Sequence, residues 1–313
     1  MMLPDQFNTK ANGKFLISGE YAVLDGALAL AVPLVRGQTL EVTSGQAGLL
    51  DWQALEPDGT TWFECTLRLS DLELKTTNDP ATAKGLQAIL QACKNQNALL
   101  FGEAAGYRIR TQTDFPREWG LGTSSTLIAA ISQWTHSNPY RVLEESFGGS
   151  GYDIACAFAR KPILYQRNAF VPFVEELDFQ PSFADQLYFV YLGKKQNSRE
   201  GIQRYRELSR EKKELVRTIS QLTEYLAQSR DLQDFQELMH THEQVISKAL
   251  QLPPVQTTLF SDFWGQVKSM GAWGGDFVLV ASDRSDEETR NYFEKMGLTV
   301  CFNWDTFVLT NTK

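Results

Sequence analysis

The sequence contains few cysteines, and they are not arranged for a structural role. Four cysteines occur in 313 residues, and no two of them form a Cys-x-x-Cys pair. A disulfide framework and a zinc site of the finger type both depend on regularly spaced cysteines. We therefore predict free thiols in a reducing compartment. The cysteines are Cys65, Cys93, Cys156 and Cys301.

Long apolar runs and an excess of positive charge are also missing. No stretch approaches the roughly 20 apolar residues that a membrane helix needs. The start of the chain, MMLPDQFNTK, lacks the basic residues and apolar core of a secretory signal. The formal net charge is −8, whereas nucleic-acid binders usually carry a basic excess. These absences predict a cytoplasmic protein that binds neither nucleic acid nor membranes, but they leave room for an anionic substrate, since a few local cations can make a positive cleft.

The composition is that of a globular protein with mixed secondary structure. Hydrophobic residues make up 42% and charged residues 22%, enough for one large domain or two of ordinary size. Alternating apolar residues predict strands in the first third, and the apolar spacing over 79–95 predicts an amphipathic helix. A charged helical hairpin is predicted over 198–252, and a strand–helix–strand unit over 277–302. Each helix of the hairpin has a stripe of apolar residues that we predict to be core, namely Leu215, Ile219, Leu222 and Leu226 on the first and Leu238, Val245, Ile246 and Ala249 on the second. We predict an α+β protein with one domain over 1–170 and a second over 171–313.

Three glycine-rich segments are candidates for ligand binding, at residues 11–26, 116–125 and 271–276. In the second, glycines allow the backbone to approach a ligand closely. A helix is predicted to start after Gly122, with Thr123, Ser124 or Ser125 as its cap. Its N-terminus would direct free N–H groups at a phosphate, and the hydroxyls are suitable ligands for Mg²⁺. On this loop alone, an ordinary glycine turn before a helix explains the pattern equally well.

Other phosphate-binding motifs do not fit. Gly13-Lys14 lacks the glycine that a Walker A loop has five positions earlier, and Ser125 stands where a dinucleotide fingerprint has its third glycine. The His-Arg-Asp loop of protein kinases does not occur in the sequence.

Taken together and in this order, the three segments resemble the GHMP kinase superfamily, which includes galactokinase, homoserine kinase, mevalonate kinase and phosphomevalonate kinase. Residues 116–124 match its motif Pro-x-x-x-Gly-Leu-Gly-Ser-Ser, with Thr123 for the first serine. The Gly-Lys and Gly-Glu pairs of the first segment match its first motif, and 271–276 match its third except at Trp273. A fourth segment, Gly-Ser-Gly-Tyr-Asp-Ile-Ala at 149–155, is similar to the one that carries the catalytic aspartate in mevalonate-type members.

The resemblance implies a two-domain kinase fold, with an N-terminal domain similar to domain 2 of ribosomal protein S5 and a ferredoxin-like C-terminal domain. It implies ATP and Mg²⁺ as cofactors, a small-molecule substrate, and a monomer or homodimer. Asp153 would be the general base, and Lys14 would stabilise both the ionised aspartate and the transferred phosphoryl group. Ser124 and Glu145 would hold the metal, with Glu144 competing for the second role. The phosphates would be wrapped by Gly120, Leu121, Gly122, Thr123, Ser124 and Ser125.

The chemistry of phosphoryl transfer asks for the same set of residues. The reaction depends on positioning and charge stabilisation more than on covalent work by the protein. It needs a cation near the transferred group, a metal held by oxygen ligands and an acceptor for the proton of the nucleophile. Without the other motifs, helix capping explains Asp153 better than catalysis does, and a solvated charge at a strand end explains Lys14.

The acceptor substrate is less well defined. Tyr21 and the Gly-Asp end of the third motif favour the phosphomevalonate type over the mevalonate type, both of which act in the synthesis of isoprenoid precursors. The cationic segment 193–199 resembles the substrate-side loop of both types, although a solvated loop explains its charge equally well. The resemblance implies that the acceptor contacts Glu20, Tyr21, Lys194, Ser198, Arg199, Gly274, Gly275 and Asp276.

Trp273 departs from the family pattern, which has a small residue there. Its indole predicts a narrower cleft or stacking on a ligand, or else a loop that no longer approaches the phosphates. Three alternatives remain open: a kinase for a sugar or an amino-acid alcohol, a diphosphomevalonate decarboxylase, and a non-catalytic relative that binds a ligand or partner on the same scaffold. Retention of Lys14, Ser124 and Asp153 argues against the last.

Overall fold

Two β-sheets and their covering helices make up the computed structural model, which describes residues 3–4, 6–101, 105–194, 198–208, 212–271, 273 and 275–310. The strands of the first sheet are β1 (Phe7–Ser18), β2 (Ala29–Ser44), β3 (Leu49–Leu55), β4 (Thr61–Arg68), β5 (Leu74–Thr77), β6 (Tyr107–Thr113), β7 (Ile163–Gln166) and β8 (Phe173–Glu176). Those of the second sheet are β9 (Leu187–Tyr191), β10 (Gln266–Ser269), β11 (Phe277–Ala281) and β12 (Cys301–Asn303). The helices are α1 (Pro80–Gln96), α2 (Thr123–Thr135), α3 (Pro139–Ser146), α4 (Tyr152–Phe158), α5 (Ser198–Glu207), α6 (Lys212–Gln228), α7 (Leu232–Leu250), α8 (Val255–Leu259), α9 (Asp286–Lys295) and α10 (Trp304–Phe307).

The long strand β2 organises the first sheet, whose order is β5-β4-β3-β6-β2-β7-β8. One edge of β2 pairs with β1, and the other pairs with β6 through residues 38–44 and with β7 through residues 29–31. Strands β3 and β6 run parallel, and the other neighbouring pairs run antiparallel. Because β8 pairs with β7, this sheet continues a few residues past the predicted boundary at 170/171, which stays a prediction.

The second sheet is antiparallel and has the order β10-β11-β9-β12. The chain runs from β9 through helices to β10 and β11, and then through α9 to β12. This β-α-β-β-α-β path is that of a ferredoxin-like unit. The α+β class and the ferredoxin-like arrangement expected for the second half are thereby confirmed.

Aromatic side chains pack the two sheets against each other. Phe15 of β1 stacks on Phe189 of β9 with ring centroids 4.7 Å apart, and it meets the edge of Phe277 of β11 at 5.0 Å. All three side chains are buried in one hydrophobic cluster. This packing fixes the first glycine-rich segment next to β11, the strand that follows the third glycine-rich segment.

The helix predictions are confirmed in part. Helix α2 begins after Gly122 as predicted, but its cap is Gly122 itself, with no side-chain cap bond, so none of the three hydroxyl residues is the cap. The described residues of the segment 198–252 form three helices, of which α6 and α7 pack together. The predicted stripe on α6 is buried. Of the stripe predicted on α7, Ile246 is buried, whereas Leu238, Val245 and Ala249 are only partly buried. The buried face of α7 consists of Phe235, Met239, His242, Glu243, Ile246 and Leu250.

The four cysteines are free thiols, as the sequence predicts. None of the helices in the described part of the chain has the length and apolar character required to cross a membrane.

The N-cap of α1 provides a test of the local structure. The Asp79 side chain accepts hydrogen bonds from the backbone N–H groups of Ala81 (2.9 Å) and Thr82 (3.2 Å). We expect Asp79→Ala to lower the free energy of unfolding by about 1 kcal/mol, because these N–H groups lose their partner. Asp79→Asn should retain most of the stability, since an asparagine oxygen caps equally well. Denaturant unfolding measures both, and equal losses in the two variants would contradict the capping role.

Candidate active site

A cleft of about 370 Å³ lies where the two sheets meet, and the four motif segments converge on it. Lys14 and Glu20 come from the first segment, and Gly120 from the second. Asp153 comes from the fourth segment and Asp276 from the third. The other lining residues include Tyr21, Trp119, Gly149, Ile202 and Phe277.

The second segment passes close to the third and requires glycine to do so. Gly120 has φ +67°, in the left-handed region, and a Cβ at this position would lie 1.9 Å from Oδ2 of Asp276. Gly122 has φ +99°, and a Cβ there would lie 3.3 Å from the Lys14 side chain. Larger residues at these positions would strain the backbone and displace Asp276 or Lys14. The two glycines thus allow the amino end of α2 to lie against the side chains of Asp276 and Lys14.

Lys14 is held against this loop from the strand side. Its backbone N–H donates to the carbonyl oxygen of Leu121 at 3.1 Å, and its ammonium donates to the carbonyl oxygen of Gly120 at 3.2 Å. The ammonium also lies 5.8 Å from the centre of the Tyr152 ring. Lys14 therefore carries a positive charge into the cleft beside the helix terminus.

Asp153 lies in the first turn of α4, directly beside α2. One of its oxygens accepts a hydrogen bond from the Ser125 hydroxyl, and the other accepts one from the Ile154 N–H at 3.1 Å. The residue before α4 is Gly151, which is the N-cap. Asp153 is thus inside the helix rather than its cap, and its carboxylate is oriented by Ser125 toward the cleft.

The predicted loop residues separate into two groups. Ser125 is buried and bonded to Asp153, while Thr123 and Ser124 line a second cavity on the other side of the α2 terminus. This second cavity has a volume of about 410 Å³, and its walls combine apolar and polar side chains. Its walls include Trp52, Trp62, Leu86, Leu127 and Phe147. The amino end of α2, with N–H groups that have no partner within the helix, lies between the two cavities.

The structure does not bring Glu145 to Asp153. The Glu145 carboxylate is exposed and accepts a hydrogen bond from Asn95 at 2.9 Å, and it is not among the residues that line either cavity. Glu144, its competitor, forms an ion pair with Arg167 at 3.3 Å. Both side chains project from α3, whose position is fixed by packing on α1 and α2.

Glu20 lines the cleft, but its carboxylate is already engaged below the cleft floor. It forms an ion pair with Lys268 of β10, and its second oxygen lies 3.1 Å from Nε2 of His242 on α7. All three side chains are at most 1% exposed. Burial would raise the pKa of the Glu20 carboxyl, but the Lys268 charge and the His242 contact outweigh it, so the pKa lies below its ordinary value.

The other two ionisable groups of this buried cluster are neutral near pH 7. Burial, and then the Lys268 charge, lower the pKa of His242. Burial raises the pKa of the neighbouring Glu243 to about 8. The cluster therefore contains one cation and one anion, which is the arrangement that low-dielectric surroundings tolerate.

Tyr21 and Trp273 connect the first segment to the third. The backbone N–H of Trp273 donates to the Tyr21 hydroxyl at 2.9 Å, and the indole N–H donates to the carbonyl oxygen of Pro253 at 3.1 Å. Trp273 is 7% exposed and packs in a cluster with Tyr21 and Tyr205. Its indole is therefore a core residue that does not line the cleft, while Gly271 and Asp276 of the same loop do.

The remaining predicted acceptor residues are less closely placed. Lys194 is exposed at the end of the segment after β9, and Gly275 is buried beside Asp276. Ser198 and Arg199 lie in the first turn of α5, but their side chains are outside the described part of the structure. Gly274 also lies outside the described residues.

Lys268, His242 and Glu243 are site-supporting residues that sequence reasoning missed. His242 and Glu243 occupy the buried face of α7, where polar residues interrupt the apolar stripe. That interruption was the available signal. The sequence around Lys268 carried no such signal, because Gln266–Ser269 is mostly polar although all four residues are buried.

Comparison with solved structures identifies the fold as that of the GHMP kinases. Mevalonate kinase of Methanococcus jannaschii is 16% identical, with 98% of this chain and 99% of that chain covered and a TM-score of 0.71. Phosphomevalonate kinase of Streptococcus pneumoniae, in complex with phosphomevalonate and AMPPNP, is 15% identical, with 95% and 99% covered and a TM-score of 0.71. Galactokinase of Lactococcus lactis, complexed with galactose, is 12% identical, with 96% and 93% covered and a TM-score of 0.68. No protein-family model and no curated protein sequence matches the chain.

The buried position of Glu243 predicts a pH effect on stability. Because its pKa rises from 4.5 in the unfolded chain to about 8 in the folded protein, the folded protein holds a proton that the unfolded chain has released. Glu243 therefore stabilises the fold fully below about pH 4.5, and this stability is lost as the pH rises through 8. The steepest loss is about 1.4 kcal/mol per pH unit for one proton.

Glu243→Gln should remove this loss, since glutamine does not titrate. Denaturant unfolding of the wild type and variant at several values from pH 5 to 9 measures the difference between the two curves. Glu237→Gln, an exposed position on the same helix, is the matched control and should follow the wild type. A wild type and Glu243→Gln that lose stability in parallel would contradict the assigned burial.

Proposed function

We propose that the protein is a kinase that transfers the γ-phosphoryl group of ATP to a hydroxyl or phosphate oxygen of a small metabolite. The observation that carries this proposal is the convergence of Lys14 and Asp153 on one cleft at the amino end of α2. A cation, an oriented carboxylate and a helix terminus are the groups that phosphoryl transfer requires. A binding scaffold alone has no need for all three at one point.

The two cavities suggest how the nucleotide binds. In this proposal the base occupies the second cavity, whose mixed walls include the aromatic side chains of Trp52, Trp62 and Phe147. Pockets for nucleotides and cofactors usually contain apolar and aromatic side chains with a few polar groups. The phosphates then pass over residues 120–125, where the α2 dipole and its N–H groups favour negative charge. The γ-phosphate would enter the cleft next to Lys14.

Within the cleft each residue has a defined part in the reaction. Where the acceptor is a hydroxyl, Asp153 takes its proton; an acceptor phosphate oxygen is largely ionised near pH 7. The acceptor oxygen forms a bond to the γ-phosphorus while the bond from that phosphorus to the β–γ bridging oxygen breaks, and ADP leaves. Lys14 stabilises the negative charge of the transferred group. Ser125 positions the carboxylate of Asp153 through its hydrogen bond.

The protein side chains at this site could hold Mg²⁺ only together with the phosphates of the nucleotide. The described residues contain no group of three or more His, Cys, Asp or Glu side chains able to hold a metal by themselves. Mg²⁺ usually takes one or two protein ligands together with phosphates and water, and Ser124, exposed in the first turn of α2, is the proposed hydroxyl ligand. Of the two carboxylates, Asp153 lines the cleft and contacts Ser125, whereas Glu145 lines neither cavity. When bound, the ion would neutralise phosphate charge.

We propose an acceptor of the mevalonate or phosphomevalonate type. The support is the sequence of the Gly-Glu-Tyr and Gly-Asp segments, together with the fold shared with both enzymes. The acceptor would lie between Asp153, Tyr21 and Asp276. Glu20 shapes the cleft through its pairing with Lys268, and its carboxylate is not available as a direct ligand for a new partner without breaking that pair.

Substitution of the two central residues tests the proposal. We expect Asp153→Asn and Lys14→Met each to lower kcat by at least about 100-fold, since a positioned base alone contributes roughly 10²–10⁴. The measurement is ADP release from Mg-ATP with mevalonate, phosphomevalonate, homoserine or galactose as acceptor. Circular dichroism and thermal unfolding verify that the variants remain folded.

Matched controls are available outside the cleft. Lys10→Met changes an exposed lysine of β1 that pairs with Asp114, and Asp178→Asn changes a largely exposed aspartate paired with Lys161. Neither residue lines the cleft, so both variants should retain wild-type turnover. A decrease of kcat by only a few-fold in Asp153→Asn and Lys14→Met would contradict the assigned mechanism.

A further inference from the structure

The floor of the second cavity includes a polar strip on the inner face of the first sheet. Successive residues of a strand point to opposite faces, and the inward-facing residues of β6 are Tyr107, Ile109, Thr111 and Thr113, all buried. The first two belong to the hydrophobic core, whereas the two threonines line the cavity together with Gln38 of β2. Gln38 is paired directly with Thr113 across the two strands. The inner face therefore changes from apolar to polar where it meets the cavity.

The two threonine hydroxyls of this strip are buried without a hydrogen-bond partner. Thr111 is 1% exposed and Thr113 is 3% exposed, and neither Oγ1 atom has a partner among the described residues. A hydroxyl in this condition has lost its contact with water and gained no hydrogen bond in exchange, which costs free energy. Buried polar groups in native proteins nearly always have partners. The two hydroxyls therefore point to a ligand that supplies them.

The neighbours of the strip leave space above it and fix its orientation. Thr111 is paired with Ala54 of β3, which also lines the cavity. Because the alanine side chain is a single methyl group, the space beside Thr111 stays open. On the other side of the strip, the Thr126 hydroxyl donates to Oε1 of Gln38 at 2.7 Å and so orients the amide beside Thr113. The strip thus presents fixed polar groups beneath an open space.

An aromatic wall and the phosphate loop complete the same cavity. The Arg117 guanidinium lies 3.7 Å from the centre of the Trp62 ring and forms an ion pair with Glu56 at 2.7 Å, which holds the indole in place. Thr123 and Ser124 of the α2 terminus line the cavity as well. An indole face, a polar strip and a helix terminus suit a ligand with a planar body, a polar edge and an anionic tail.

We propose that Thr111 and Thr113 hydrogen-bond the polar edge of the nucleobase, and that the protein thereby selects its nucleotide by the base. A hydroxyl both donates and accepts, so each one suits a ring nitrogen or an exocyclic group of that edge. A site built to hydrogen-bond a ligand rejects an analogue without the bonding groups, because its own buried polar groups then stay unpaired. This inference rests on the proposed function, since it places the nucleotide in the second cavity.

Replacement of both hydroxyls by methyl groups tests the inference. Thr111→Val/Thr113→Val should unfold at the wild-type temperature or above it, because the hydroxyls have no partner in the ligand-free protein. Isothermal titration calorimetry with ATP and Mg²⁺ should give a Kd at least about tenfold above that of the wild type. Sodium tripolyphosphate, which has neither base nor sugar, should not distinguish the two proteins. Thr113→Val alone, with an expected rise of about threefold, serves should the double variant fold poorly.

Nucleotide analogues identify the part of the ligand that the threonines contact. Benzimidazole riboside 5′-triphosphate keeps the planar shape of a purine nucleotide but has C–H groups in place of the polar edge of its six-membered ring. The wild type should bind it at least about tenfold more weakly than ATP, and the double variant should bind both within about threefold. The 2′-deoxy and 3′-deoxy forms of ATP should lose affinity in the double variant as ATP does. Deoxy forms that are insensitive to the substitutions would assign the hydroxyls to the ribose and overturn the inference.

The matched control is Ser132→Ala. The Ser132 hydroxyl is also buried and has no partner in the described part of the chain, but it lies on α2 and does not line the cavity. This variant should bind ATP like the wild type. Wild-type affinity for ATP in Thr111→Val/Thr113→Val would overturn the inference and assign the two hydroxyls to bound water.

The outcomes separate this inference from the proposed function. ATP binding that the substitutions leave unchanged overturns the inference and leaves the kinase proposal intact. ATP binding that weakens as expected, without ADP release in the presence of any acceptor, contradicts the kinase proposal and supports recognition of the base. Absence of ATP binding by the wild type would overturn both.

Discussion

The buried ion pair between Glu20 and Lys268 is the interaction on which the rest of the arrangement depends. It connects the end of β1 to β10, and so connects the two sheets directly beneath the cleft. Replacing such a pair with apolar residues is often harmless, but removing one partner leaves a buried charge at a cost of about 3–5 kcal/mol. The neutral His242 and Glu243 around it avoid a second uncompensated charge. The pair thus specifies how the halves meet more than it adds to stability.

The aromatic packing of Phe15 on Phe189 and Phe277 also holds the two sheets together. Apolar contacts are non-directional and permit small sliding movements, whereas an ion pair fixes one register. Together they hold Lys14, which lies between Phe15 and the glycine loop, within hydrogen-bond distance of Gly120. The positions of the cation and of the α2 terminus are therefore consequences of core packing several residues away.

The fold class and the central site residues were predictable because they depend on local patterns. Gly120, Gly122 and the start of α2 follow from glycine chemistry and helix entry, and the resemblance of the motifs adds Lys14 and Asp153. The buried cluster was missed, since hydrophobic periodicity takes His242 and Glu243 for surface residues unless the break in the apolar face of α7 is noticed. For the same reason, the apolar stripe predicted on α7 included Leu238, Val245 and Ala249, which are only partly buried. Glu145 illustrates a different limit: its distance from Asp153 is decided by how α3 packs on α1, which no short motif records.

The contact between Gly120 and Asp276 has a consequence for how this protein can change. Because the space that a Cβ would occupy at residue 120 is filled by the carboxylate of residue 276, the two loops are sterically complementary although 156 positions separate them in the sequence. A chimaera that takes one loop from a relative and keeps the other would place mismatched surfaces in contact at the centre of the cleft. Substitutions in the two segments are therefore expected to affect each other.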